Sequence, residues 1–415
     1  VFYFFFPFFF FFFFFPGQIL NFAQIVSLAA GLPLKWPPTI ETLFESFGTI
    51  SSAGSTLLIP DCELSHLPTA DAFYLKQIAF TLLPPIIVPI CVLVWAILLR
   101  CKCSRVALHL NIRTVKDYTV LSIVLFFFLI YPLICRITFS NVKCPYVGGE
   151  AQYLMSDLEE PCFTGRHLHY VLGITLPQFL LYVLGLPLSA FLFLRNKTQE
   201  QMLDGSFRMR FGLLFQGYRP ERKWWEVCIA FRKLALVAVG SFGTMWGAID
   251  LQAFAALLLV FISLVVHLVG KPFDTSDAGG LLLHNLEFAS LTICWITFWG
   301  GLLYFLGSSA LDGTGVPDSI LILVTIFLVA SNIFFLLYAS SVYVREYIND
   351  RKLWRKRKET RRRSMLAGGA STAVIPVDRA KMAWQGEGEP PPPPPPLEGE
   401  GQKGCVCRLD CCGFL

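Results

Sequence analysis

Two cysteines in the middle of the chain, Cys144 and Cys162, have a spacing that would let a disulfide close a loop. The segment between them, PYVGGEAQYLMSDLEEP, is rich in glycine and acidic residues and has no run of apolar residues long enough to cross a membrane. In an oxidising compartment a disulfide here would contribute about 2–4 kcal/mol. Cys62 is expected on the same side, paired with one of these cysteines or with a part of the protein outside this chain.

A second group of cysteines lies in the final segment, CVCRLDCCGFL. Cys411 and Cys412 are candidates for lipid attachment, because the last four residues have the general form of a prenylation box ending in Leu. No histidine accompanies these thiols, so a metal site is not predicted. The sequence has no P-loop, HExxH, GxSxG or dinucleotide-binding motif, and we predict neither an enzyme nor a bound cofactor.

Two aspartates, Asp312 and Asp318, belong to the polar connection GSSALDGTGVPDS. They are candidates for the acidic mouth of an ion pore, and the alternative is that they are solvated loop acids. Ionisable groups deep in apolar stretches would indicate an ion path, because burying them in lipid is costly. Arg136 and His267 lie near the ends of such stretches and can reach water, so no proton relay is predicted.

The most distinctive segment is RFGLLFQGYRPERKWWEVCIAFRKLALV, which interleaves basic and aromatic residues. Such residues favour the boundary between lipid and water, so we expect an amphipathic element that faces lipid headgroups. The residues expected to face lipid are Arg222, Lys223, Trp224, Trp225, Arg232 and Lys233. Residues 345–363 form a second basic stretch, predicted as a juxtamembrane helix that binds anionic lipids. For both segments the alternative is that the charges only determine membrane topology.

These residues need elements that position them, and the composition indicates what those elements are. The chain is 55% hydrophobic and 15% charged, too few charges to cover a water-soluble globule of this size. A membrane-spanning helix requires about 20 mostly apolar residues. Eight stretches meet this requirement: 17–34, 73–99, 118–139, 170–194, 227–246, 250–269, 285–306 and 318–343.

The charges of the connections between these stretches predict their orientation. The 100–116 connection has five basic residues and no acidic one, and the 195–226 connection has seven basic residues against four acids. The 140–169 connection has two basic residues against four acids. Because basic connections are retained in the cytosol, this alternation predicts a cytosolic C-terminus in a plasma or internal membrane.

Both ends of the chain differ in composition from the part between them. Residues 1–16 are almost entirely phenylalanine, interpreted as a gene-model artefact or part of a truncated span, and we derive no function from them. Residues 364–415 are rich in Gly, Pro and Glu, which predicts a disordered cytosolic tail. The seven prolines Pro390–Pro396 predict a polyproline II segment, either a ligand for SH3- or WW-type proteins or a plain spacer.

Several segments follow one another in a recognisable order: ILNFAQIVSLAAGLPLKWPP, DYTVLSIVLFFFLIYPLI, YLMSDLEEPC and GYRPERKWWEVCIAFRKLALV, and then Pro272–Leu291. In these segments, which cover most of 17–344, the chain resembles the TRP-like (TRP C-terminal domain) membrane module of algal and protist proteins. That module often follows EGF-like or ephrin-receptor-like cysteine-rich repeats. The resemblance implies a cation channel or a signalling membrane protein with a large ectodomain. A TRP-type pore needs a re-entrant helix and a filter between its last two helices, and GSSALDGTGVPDS is short for both.

We therefore predict an all-α polytopic membrane protein with about eight transmembrane helices in residues 17–344. The predicted function is that of a TRP-like cation channel subunit or a channel-derived signalling module. The alternatives are a non-conducting receptor or adhesion module, and a transporter of small solutes or lipids that uses its proline-broken spans. The expected partners are the lipid bilayer, anionic lipids at the basic segments and further copies of the chain, and no nucleic acid is expected.

Overall fold

The predicted all-α class is confirmed: the described residues form a bundle of α-helices, with one small β-sheet at one end. The computed structural model describes residues 17–32, 34–51, 67–100, 115–147, 151–246, 249–276, 278–309 and 316–366. The helices, numbered in chain order, are α1 (Gly17–Ala29), α2 (Pro38–Ser51), α3 (Thr69–Arg100), α4 (Val115–Ser140), α5 (Gly165–Arg195), α6 (Gln199–Leu203), α7 (Gly205–Phe215), α8 (Trp225–Phe242), α9 (Ile249–Gly270), α10 (Ala278–Ser309) and α11 (Asp318–Leu366).

Six helices in the described part are long and apolar enough to cross a membrane: α3, α4, α5, α9, α10 and α11. Their outward faces carry large apolar side chains, such as Leu93 at 60% and Leu323 at 65% exposure. A water-soluble protein rarely leaves so much apolar surface uncovered. Helix α8 is not one of these six, because it carries three charged residues, Glu226, Arg232 and Lys233.

Helix α1 differs most from its predicted form, because it ends at Ala29 rather than near residue 34. Its 13 residues extend about 20 Å, which is short of the roughly 30 Å of hydrocarbon in a bilayer. Ala30, Gly31 and Leu32 form a turn, and α2 begins at Pro38. Nearly every side of α1 is buried between other helices, so it forms the centre of the core instead of a lipid-facing span.

Six prolines interrupt the backbone hydrogen bonds of α3, α4 and α5, and at three of them a side chain from a neighbouring helix replaces the missing donor. Each proline leaves the carbonyl four residues earlier without its helical partner. The Thr81 carbonyl, four residues before Pro85, accepts from the Tyr182 hydroxyl. The Val183 carbonyl, four residues before Pro187, accepts from the Tyr131 hydroxyl. The Gln24 amide approaches the Phe128 carbonyl, four residues before Pro132. These contacts favour static bends over free hinges in α3, α4 and α5.

Helix α5 contains two π-helical segments, Val171–Thr175 and Phe179–Leu184, on either side of a short α-helical turn. Such wide turns are rare, and in other proteins they often mark functional positions. Pro177 lies between them, where its missing N–H interrupts the regular α-helical pattern.

Helix α11 runs without a break from Asp318 to Leu366 and therefore crosses the predicted domain boundary at 344/345. Its 49 residues extend about 73 Å, more than twice the thickness of a bilayer core. The predicted juxtamembrane helix at 345–363 is thus the continuation of the last apolar helix, and its side chains at Arg345 and Arg351 are exposed.

The two ends of the bundle carry different elements. Trp224 packs on Phe191, and a Cβ atom on Gly270 would meet the ring of Trp225, so the end of α5, the start of α8 and the end of α9 lie together. We call this end of the bundle the basic end. The opposite end, where α4 finishes and α5 begins, is called the hairpin end.

The hairpin end carries a three-stranded antiparallel sheet formed by β1 (Tyr146–Val147), β2 (Ala151–Leu154) and β3 (Asp157–Pro161). The predicted Cys144–Cys162 disulfide is present and joins the two ends of this sheet. Its cysteines pack with Leu154 in a small buried cluster, so the covalent bond also supplies a core for a sheet too small to form one alone.

Ion pairs attach the hairpin to α3 and α5. Arg166 Nη2 lies 2.7 Å from Glu160 Oε2, Arg166 Nη1 lies 2.6 Å from Asp71 Oδ1, and the Thr69 hydroxyl bonds Asp157. The Arg166 guanidinium keeps the pKa of Glu160 below its usual range, and the Thr69 hydroxyl does the same for the pKa of Asp157.

Acid should therefore loosen the attachment of the hairpin. A carboxyl group whose pKa is lowered by folding stabilises the folded state above its ordinary pKa of about 4, and this contribution is lost as pH falls further. We expect pepsin cleavage between residues 145 and 163 to accelerate between pH 5 and pH 3. A Glu160→Gln variant, which lacks one of these carboxylates, should show a smaller change with pH. An equal change in both proteins would contradict this assignment.

Candidate functional site

Helix α8 carries two basic residues into the interior of the bundle. The Arg232 guanidinium donates to Glu287 Oε1 of α10 across 3.0 Å, and the two side chains are only 8% and 2% exposed. Two opposite charges can remain buried together because each offsets much of the cost of removing the other from water. This pair therefore joins α8 to α10.

The neighbouring residue, Lys233, is also buried and joins two other helices. Its ammonium nitrogen donates to Asn21 Oδ1 of α1 at 2.5 Å and lies 4.5 Å from the centre of the Phe128 ring of α4. Attraction between an ammonium group and an aromatic face adds about 0.5–2 kcal/mol, more when water is excluded. Lys233 thus holds the short helix α1 between α8 and α4.

The first turn of α8 extends this arrangement to the basic end. The Tyr218 hydroxyl donates to Glu226 Oε2 at 2.8 Å, and the same tyrosine forms a β-bridge with Phe273 in the segment that joins α9 to α10. The Arg219 amide donates to the Pro272 carbonyl beside it. Removal of the Tyr218 hydroxyl from water, together with the nearby Glu226 carboxylate, raises the pKa of Tyr218 well above its usual value, so it remains a donor.

Two histidines from α9 and α10 stack beside the charged residues. The ring centres of His267 and His284 are 4.7 Å apart and their planes differ by 17°. Among the residues that the structure describes, Nδ1 of His284 has no hydrogen-bond partner. The Gln18 side chain lies at the same end and joins α1 to Tyr343 of α11 at 2.5 Å and to the Leu283 carbonyl of α10 at 3.1 Å.

We use the term charged cluster for Glu226, Arg232, Lys233 and Glu287. Two carboxylates and two cations balance to zero charge, so the cluster can remain inside an apolar bundle. Its hydrogen bonds reach α1, α10 and the loop before α8. A displacement of α8 relative to α10 would separate this buried ion pair.

The expectation that six basic and aromatic residues face lipid is wrong for three of them. These three lie inside the bundle: Trp225, which is 6% exposed, packs against Gly270 of α9. Arg232 bonds Glu287 of α10, and Lys233 bonds Asn21 of α1. The other three residues, Arg222, Lys223 and Trp224, are half-buried at the basic end. There Lys223 donates to the Lys197 carbonyl, and Trp224 packs on Phe191.

Of the remaining predicted site residues, the structure describes Asp318 and the two cysteines of the disulfide, and none of these belongs to the charged cluster. Asp318 is exposed and begins α11. Asp312, Cys411, Cys412 and Pro390–Pro396 lie outside the residues that the structure describes. The 1–16 and 364–415 segments and Cys62 lie outside them as well, except for the three residues 364–366 that complete α11.

Sequence reasoning missed Glu287 and Asn21 as partners of the basic residues. The predicted stretch 285–306 puts Glu287 two positions from its start, but α10 begins at Ala278. Glu287 is nine residues after the start of α10, a rise of about 13 Å along the helix axis. It therefore lies inside the apolar helix and not at its end. The signal that could have found it is the match between two cations in one helix and an otherwise unexplained acid in another.

Comparison with known proteins gives a limited match. The chain is 28% identical over 181 residues to cysteine repeat modular protein A of Toxoplasma gondii. The match covers 41% of this chain, which spans 6% of the length of that protein. No protein-family model and no solved structure matches the chain.

Proposed function

We propose that this chain is the membrane module of a larger protein, places about eight helices in a bilayer and acts as a TRP-like cation channel subunit or channel-derived signalling module. In this proposal α8 crosses together with the six long apolar helices, and α1, whose 13 residues are too short to cross alone, lies inside the bundle that they form. The basic end faces the cytosol, because Arg195, Lys197, Lys223 and the exposed basic residues of α11 all belong to it.

The observation that supports this function is the charged cluster inside an otherwise apolar bundle. Charged side chains within membrane helices are costly, and those that occur commonly belong to ion paths or to elements that switch between two states. The cluster connects the loop at Tyr218 to α1, α8 and α10. A rearrangement on the cytosolic side can therefore reach the helices of the bundle through hydrogen bonds.

A second candidate is a non-conducting receptor or adhesion module. It is supported by the disulfide-closed hairpin, which gives the outer side a rigid attachment surface, and by the similarity to a cysteine repeat modular protein. In this case the helices would anchor an ectodomain and α11 would transmit its state to the cytosol.

Ion conduction can be tested with the full chain in planar bilayers under voltage clamp. We expect unitary cation currents, and we expect Asp318→Asn to reduce their conductance about twofold at low salt, because an acid at a pore mouth concentrates cations. Glu41→Gln is a matched control, since Glu41 is also an exposed acid in the first turn of a helix.

Each contrary result favours a different reading. An absence of unitary currents from correctly inserted protein would contradict the channel proposal. If the cytosolic part of the chain then binds partners, the receptor reading is favoured, whereas solute uptake without unitary currents favours a transporter.

A further inference from the structure

A cavity of about 370 Å³ lies between α4, α5, α7 and α8, separate from the hairpin and from Asp318. Its volume is within the range of sites that hold small molecules in other proteins, roughly 300–1,000 Å³. Most of its wall is apolar, with large contributions from Phe127, Phe193 and Phe211. An apolar ligand segment in this cavity would therefore replace water or empty space with close contacts.

The cavity is reached from the outer surface of the bundle. Ser189 of α5 lines it and is also exposed on the face of that helix which would contact lipid. The Ser189 hydroxyl donates to the Leu186 carbonyl of its own helix, so its polarity is already satisfied. A molecule dissolved in the bilayer could thus enter beside α5 without passing through water.

Two ionisable groups complete the wall, and both belong to the charged cluster. Glu226 and Lys233 lie two turns apart on the same face of α8, and long side chains in a helix point back toward its N-terminus. Lys233 carries three N–H donors, and in the described part of the chain its ammonium has one hydrogen-bond acceptor, Asn21 Oδ1. The Glu226 carboxylate, which accepts from Tyr218, has further lone pairs.

The charge balance determines which polar group fits beside them. The charged cluster already sums to zero, so an added carboxylate or phosphate would leave a net negative charge in an apolar setting. A hydroxyl group adds no charge, accepts from an ammonium and donates to a carboxylate. Lys233 and Glu226 together thus match a neutral head that bears hydroxyl groups.

We propose that this cavity binds a neutral lipid with a hydroxyl-bearing head, such as a monoacylglycerol, whose acyl chain lies along the aromatic wall. The inference requires the helices to lie in a bilayer, but it does not depend on ion conduction. A lipid bound there would contact both ionisable residues that the loop at Tyr218 and α1 hold in place.

The test uses the full chain in phospholipid nanodiscs and a monooleoylglycerol with a photoreactive group in its acyl chain. A matching photoreactive oleate has the same chain and an anionic head. We expect saturable labelling of α4, α5 and α8 by the monooleoylglycerol, at least about tenfold more efficient than labelling by oleate. Ala190→Phe, which fills the cavity, should abolish this labelling, whereas Leu188→Phe, on the exposed face of α5, should leave it unchanged.

A second variant tests the head group while keeping the cavity open. Glu226→Gln retains an acceptor for Tyr218 but leaves one uncompensated cation, so labelling should shift several-fold toward oleate. Equal or stronger labelling of the native protein by oleate would overturn the proposal. So would labelling that does not saturate or that Ala190→Phe leaves intact. Because labelling is measured without current, a failure of ion conduction would leave this result unaffected.

Discussion

Replacing Glu287 by glutamine should destabilise the helix bundle by about 3–5 kcal/mol, the usual cost of leaving a buried charge without its partner. The Arg232 guanidinium would then remain 8% exposed with no carboxylate beside it. Because the pair joins α8 to α10, we expect earlier unfolding of both helices in thermal melts followed by circular dichroism in detergent micelles. Under the channel proposal, the same variant should also change the open probability in the bilayer assay.

Two controls separate the loss of the ion pair from other effects of substitution. An Arg232→Met, Glu287→Met double variant removes both charges and should recover much of the lost stability, since apolar replacements of a buried pair are often neutral. Asp71→Asn removes a pair in which both side chains are nearly half exposed, and it should cost less than about 1 kcal/mol. If Glu287→Gln is no more harmful than Asp71→Asn, the cluster is not a structural link.

Replacing Cys144 by serine should have the second-largest effect, a loss of about 3 kcal/mol at the hairpin end. The disulfide closes a loop with a sequence separation of 18 residues, and the open chain would recover most of that conformational freedom. We expect faster proteolysis between residues 145 and 161 and faster amide exchange in β2. The basic end of the bundle should be unaffected, because in the described residues α3 and α5 contact the hairpin at their first turns, near Asp71 and Arg166, at the opposite end of the bundle.

The remaining cysteines provide the controls for this result. A Cys144→Ser, Cys162→Ser double variant should match the single variant, because both lack the same bond. Cys228, which is half-buried and unpaired, should tolerate serine without any change in the hairpin. A reducing agent should affect the native protein as the single variant does, and a hairpin that remains protected under these conditions would contradict the role of the disulfide.

The two effects lie at opposite ends of the bundle and should add without coupling. Loss of the disulfide affects the hairpin end, whereas loss of the ion pair affects the connection between α8 and α10. A receptor would be impaired most by the first change, and a channel by the second. Measured in one preparation, the two variants therefore also discriminate between the two proposed functions.

The sequence by itself determined the helical class and the positions of the long apolar helices. Apolar runs of this length satisfy their backbone hydrogen bonds only as helices when little water is available. Their ends shift by several residues, as for α10, because the polar residues at a helix terminus do not mark where its hydrogen bonds stop. The disulfide was also predictable, since two cysteines flanking one polar loop have a short distance to close.

Only the tertiary structure decided what the basic residues of α8 do. A run of aromatic and basic residues is typical of a membrane surface, and its local pattern carries no information about a partner elsewhere in the chain. Arg232 meets a carboxylate 55 residues away, and Lys233 meets an amide 212 residues away. A charged side chain can be buried when another helix places an opposite charge or a hydrogen-bond acceptor beside it. Which helix does so depends on how the helices pack, so the local sequence does not reveal it.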